Sequence, residues 1–105
     1  MDEKHLTAHM AHTAIVTAVG EYDIDTLGPI GDELTTAAGT HQVVILDTSG
    51  LVFADSMFLN MLLRIHPTTT LRIAAPPRQL TRLLAMTGAD TVLDIHPTVQ
   101  EALAA

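Results

Sequence analysis

The chain has 105 residues, enough for one domain and too few for two that would each bury a core, so a single domain spanning 1–105 is expected. Apolar residues make up 48% of it and aromatics only 3%, so the core must be built from Ala, Val, Ile, Leu and Met. Twelve acidic against five basic side chains give a formal charge of −7, which repels phosphate backbones, and the absence of cysteine excludes disulfides, thiolate nucleophiles and Cys-ligated metals.

The segment Met1-Asp2-Glu3-Lys4-His5 lacks a basic stretch followed by an apolar run, and nowhere do about 18 apolar residues follow one another. A cytoplasmic protein without membrane or direct nucleic-acid contact is the expectation. In chain order, a weak strand at Leu6 to Met10 and a tight turn at Ala11-His12 would form an antiparallel hairpin with the β-branched run Thr13 to Gly20. After the acidic turn Glu21 to Asp25, Leu27, Ile30, Leu34 and Ala37 recur at helical spacing up to Gly39. Asp25 or Thr26 would cap that helix, and Pro29 in its first turn is compatible with it.

Val43-Val44-Ile45-Leu46 has the unbroken apolar character of a central strand buried on both faces, closed by Asp47. A loop, Thr48 to Ala54, is expected next. Asp55-Ser56 then opens a helix carrying Phe58, Leu59, Leu62, Leu63 and Ile65, apolar on most sides and stopped by Pro67. Leu71 to Ala75 alternates as a strand. Pro76-Pro77 leads into a helix with Leu80, Leu83 and Leu84 that ends at Gly88. A short strand, Thr91 to Ile95, and a final helix with Pro97 in its first turn and Val99, Ala102 and Leu103 on one face complete the series. Strands alternating with helices imply an α/β fold with parallel βαβ crossovers, in a mixed sheet of four to five strands packed against about four helices.

Both serines, Ser49 and Ser56, fall in or beside the segment that joins the buried strand to the buried helix. By spacing alone Asp55-Ser56 is an ordinary capping pair. However, Val43-Val44-Ile45-Leu46-Asp47 followed by Ser49-Gly50-Leu51-Val52-Phe53-Ala54-Asp55-Ser56 resembles the signature of STAS-domain anti-sigma factor antagonists: apolar strand, Asp, Ser-Gly-Leu, then Asp-Ser. Gly20-Glu21-Tyr22-Asp23 is similar to that family's Gly-Glu-Leu-Asp turn. Met57 and Phe58 depart from the family pattern, standing where a second Ser or Thr and a Gly are common.

The resemblance implies a STAS fold and a non-enzymatic role without cofactor. Ser56 would be the phosphorylation site, and Glu21, Asp23, Asp25, Asp55, Met57 and Asn60 the partner-binding surface. It further implies an anti-sigma factor with a kinase-type ATP-binding fold as partner and kinase, and a serine phosphatase that resets the switch. A STAS scaffold in a stress-signalling complex without sigma-factor control is the alternative.

Other chemistries are weaker. His5, His9 and His12 invite a metal site, but on a strand His12 would not share the face of His5 and His9. A Ser56–His66 hydrolase lacks Gly-x-Ser-x-Gly and separates the two groups by a helix of roughly 15 Å. Asp47 as a receiver-type phosphoacceptor would need a lysine after the last strand, and the only lysine is Lys4. Asp47 is expected to orient the adjoining segment instead.

Overall fold

The computed structural model describes residues 12–105. Its elements are β1 (Thr13–Tyr22), α1 (Leu27–Thr40), β2 (Val43–Ala54), α2 (Ser56–Ile65), β3 (Thr70–Ala74), α3 (Arg78–Thr87), β4 (Asp94–His96) and α4 (Val99–Ala104). The four strands pair in the order β1-β2-β3-β4, each parallel to its neighbour. The fold is thus α/β, with four helices. The hairpin expected at Leu6 to Met10, which would make the sheet mixed, lies outside the described residues.

An unreversed strand order with right-handed crossovers places every crossover helix on one face of the sheet. The core follows that rule. Val16, Ala18, Val44, Leu46, Leu71 and Ile73 point from the strands into one cluster with Ile30 and Leu34 of α1, Phe58 and Leu62 of α2, and Leu80 and Leu84 of α3. On the other face, among the described residues, Ile45 and Ala74 cluster with Ala102, with Val43 and Val99 beside them. The helix that follows the last strand covers that side. Arg72 holds it there, donating from Nη1 to the Ala102 carbonyl at 2.9 Å, while its Nε lies 3.7 Å from Asp94 Oδ2.

Val44, Ile45 and Leu46 are fully buried, as a central strand requires. The expected loop from Thr48 to Ala54 is instead the second half of β2. Having lost β3 after the Asp47–Ala74 pair, β2 continues against β1 alone, through Val19–Gly50, Gly20–Leu51, Glu21–Phe53 and Tyr22–Ala54. The register shifts between Thr17 and Val19 and again between Gly20 and Glu21, and Gly20 takes φ 89°, a conformation a side chain would strain. Ser49 therefore sits in a strand. Asp47 accepts its amide at 3.0 Å, so the carboxylate orients this segment as expected.

Thr26 stands at the N-cap of α1 but forms no side-chain cap, and Asp25 supplies none. Asp23 builds the turn instead: its Oδ1 accepts the amides of Asp25 at 2.9 Å and Thr26 at 3.2 Å. Pro67 lies within a 3-10 turn, His66–Thr68, appended to α2. Residues Ala89–Thr91 also form a 3-10 turn, which delays the last strand to Asp94. Pro97 precedes α4, whose N-cap is Thr98, and Leu103 is exposed rather than sharing a buried face with Ala102. Gly88 ends α3 in the left-handed conformation, φ 77°.

Where β2 and β3 part, Thr48 bridges them. Its side chain is fully buried and donates to the Ala74 carbonyl at 2.7 Å, taking the place of a ladder bond. Thr48→Val keeps the shape but leaves that carbonyl without its donor. It is expected to lower stability by about 1–3 kcal/mol in a denaturant titration, with the slope m unchanged.

Candidate functional site

β1 and β2 end side by side, since Tyr22 pairs with Ala54 and the chains then turn at Asp23 and Asp55. The parallel ribbon therefore delivers two acidic turns to one end of the sheet, and α2 starts from the second. The Tyr22 and Phe58 rings lie 5.5 Å apart between centroids and tilted by 35°, which pins the end of β1 to the first turn of α2. The Tyr22 hydroxyl accepts the Val19 amide at 3.0 Å and closes the bulge of β1 on itself.

Asp55 is the N-cap of α2. Its Oδ1 accepts from the amides of Met57 at 2.9 Å and Phe58 at 3.3 Å. Ser56 is the first helical residue and is exposed. Among the described residues its hydroxyl takes part in no hydrogen bond, so the capping work falls to Asp55 alone. Asp23 is committed to the turn before α1. Glu21, Asp25 and Asn60 are exposed, and Met57 is 40% exposed. Met61 is buried in the core.

The same end of the molecule carries exposed apolar side chains that local sequence patterns did not single out: Val19, Ile24, Val52 and Phe53. Val52 and Phe53 escaped notice because their segment reads as a loop. In β2 they directly precede the buried Ala54, and Phe53 lies opposite Glu21. Glu21, opposite Phe53, and Asp55, the residue after Ala54, set carboxylates beside this exposed apolar surface.

Gln79, in the first turn of α3, is a further residue that local sequence patterns did not single out. Its Oε1 accepts the Ala54 amide at 3.0 Å and its Nε2 donates to the Ala54 carbonyl at 2.7 Å. The side-chain amide thus pairs with Ala54 as a neighbouring strand would, and ties α3 to the residue just before Asp55-Ser56. A lone glutamine in a helix carries no local signal of such a role.

The histidines considered for other chemistries lie apart from Ser56 or outside the described residues. Ser56 opens α2 and His66 follows its last residue, so the helix separates them. His12 is exposed, His5 and His9 lie outside the described residues, and among the described residues no three His, Asp or Glu side chains are placed to hold a metal. Among them, too, no helix is long and apolar enough to cross a membrane.

Two substitutions test this assembly. Asp55→Ala should cost about 0.5–2 kcal/mol in thermal or chemical unfolding, whereas Asp55→Asn, which still caps, should cost only a few tenths. Gln79→Ala strips both partners from Ala54, so amide exchange at Ala54 should quicken at least ten-fold relative to the Val44 to Leu46 amides. Equal exchange in the two proteins would show that the clamp does not hold the end of β2.

Comparison with solved structures places the fold among known ones. The chain is similar to an anti-sigma factor antagonist from Mycobacterium paratuberculosis, with a TM-score of 0.81 and 22% identity over 89% of this chain and 84% of that one. It is also similar to the anti-sigma factor antagonist SpoIIAA in its unphosphorylated form, with a TM-score of 0.75 and 18% identity over 89% and 86%. A sulfate transporter family protein from Wolinella succinogenes gives a TM-score of 0.71 and 18% identity over 89% and 83%. No curated protein matches the chain. The family model described as "Mlab, STAS domain" matches residues 5–96, and by that match over most of its length the chain belongs to the STAS-domain family.

Proposed function

We propose that this chain is an anti-sigma factor antagonist, switched by phosphorylation of Ser56. In the unphosphorylated state it binds an anti-sigma factor with a kinase-type ATP-binding fold, and that partner releases its sigma factor. The same partner phosphorylates Ser56, and a serine phosphatase restores binding. The cycle runs in the cytoplasm. One observation carries the reading: Ser56 stands exposed at the start of α2, its neighbour Asp55 performs the capping, and apolar and acidic side chains lie around it. The hydroxyl is free of structural duty among the described residues and open to a kinase.

The chemistry of the switch follows from charge. A phosphate adds roughly −1.5 to −2 at neutral pH, in a neighbourhood that already holds Glu21, Asp23, Asp25 and Asp55. Within the folded domain the first turn of α2 tolerates an anion, because helix amides and the macrodipole favour negative charge there. The penalty therefore falls on the complex. Burying the phosphate against a partner without a matching cation costs about 2–4 kcal/mol, or roughly 30- to 1000-fold in affinity. Met57, bulky and 40% exposed, adds an adaptable apolar contact beside the serine.

A second reading draws on the family description and on the likeness to a transporter-family protein. In it the domain is an interaction module of another assembly, without sigma-factor control, and the same surface binds without a phosphate switch. The two part in one experiment. The protein is incubated with candidate anti-sigma kinases and ATP, any phosphate is located by mass spectrometry, and pull-downs compare Ser56→Ala with Ser56→Asp. Phosphate on Ser56, retained binding by Ser56→Ala and at least 30-fold weaker binding by Ser56→Asp are expected. If both variants bind as the unsubstituted protein does, the switch is rejected and the second reading stands.

A further inference from the structure

The outer face of α3 breaks the rules that stabilise helices. Its N-cap is Pro77, which offers no side-chain cap, and its first turn holds no acidic residue. Arg78 stands at its first position and Arg82 one turn further on, both exposed, so the charge of Arg78 lies at the end of the helix that is already positive. Among the described residues Asp94 pairs with Arg72 and lies 2.9 Å from His96 Nε2, and neither Arg78 nor Arg82 has a carboxylate partner. Beside the arginines, Leu83 is half-buried and Met86 is 80% exposed. Arg78, Gln79, Arg82, Leu83 and Met86 together line a shallow hollow. A local arrangement that costs stability without an internal gain is the mark of a surface kept for contact.

We infer that this face of α3 is a docking surface for an acidic, amphipathic segment of a partner protein, whose carboxylates engage Arg78 and Arg82 while its apolar side chains cover Leu83 and Met86. Charge decides the occupant. Two of the five basic residues of a chain with formal charge −7 meet on this one helix face. An anionic membrane or a nucleic-acid duplex would face the whole negative molecule. A short segment laid along α3 meets Arg78 and Arg82 on a helix that contains no acidic residue, and charges beyond a Debye length of about 8 Å are largely screened from it. Arginine's fork suits paired carboxylate contacts, and the flexible Met86 suits an apolar neighbour of unfixed shape. The inference goes beyond the reading of Ser56 and does not depend on it. Gln79 nevertheless gives the face a physical link to the other site, since its amide holds Ala54.

The test is an NMR titration of the isotope-labelled full chain with a synthetic amphipathic helical peptide of Glu and Leu. Shift changes concentrated on residues 78–87 are expected. Affinity should fall about ten-fold in the Arg78→Gln/Arg82→Gln double variant and measurably in Met86→Ser, and should persist in Ser56→Ala. The unperturbed part of each spectrum verifies folding. Absence of change on α3, or equal affinity in the double variant, overturns the inference. So does a response of α3 to phosphatidylglycerol vesicles or duplex DNA but not to the peptide.

Discussion

Ala54 is the point from which the candidate site is built. Its side chain is fully buried, its register partner across the ribbon is Tyr22, and both of its backbone polar groups are taken by one glutamine amide from α3. β3 has already left the sheet by this residue, so without Gln79 the Ala54 amide and carbonyl would be partly buried and unsatisfied. Holding them fixes where Asp55 begins α2, and hence where Ser56 points. Strand pairing, helix capping and side-chain clamping converge within three residues, which is why a hydroxyl on a surface can have a defined setting.

The arrangement also separates two duties that adjoining residues often share. Asp55 satisfies the first amides of α2, and Asp23 those of the turn before α1. Ser56, Met57 and Asn60 face outward without an internal role among the described residues. A modification of Ser56 therefore acts on what approaches the domain more than on the domain itself. The bulky Phe58, where the family pattern often has glycine, is turned inward against Tyr22, so this departure strengthens the core beneath the site rather than its contact surface.

The parts of the fold that depend on local chemistry were legible in the sequence. The apolar run Val43 to Leu46, the helical spacing of Ile30, Leu34 and Ala37, and the stop at Gly88 all stand in the structure. What eluded reading depends on partners distant in sequence. Thr48-Ser49-Gly50 has the composition of a turn, yet it is strand because β1 lies beside it and Gly20 supplies the bulge that keeps the two in step. Val52 and Phe53 were hidden by that same misreading. Gln79 matters through two hydrogen bonds across 25 residues and Thr48 through one across 26, which no periodicity records.

The unreversed strand order has a further consequence for how the molecule comes apart. Three crossover helices share one face, and among the described residues the opposite face carries α4. Its hold is the small contact of Ala102 with Ile45 and Ala74, together with the Arg72 bond to the Ala102 carbonyl. Fraying there would bare the back of the central strand while the larger core stayed intact. The helix held by so small a contact is thus the natural first unit to open, and a change made in it disturbs a different layer of the protein from the one that carries Ser56.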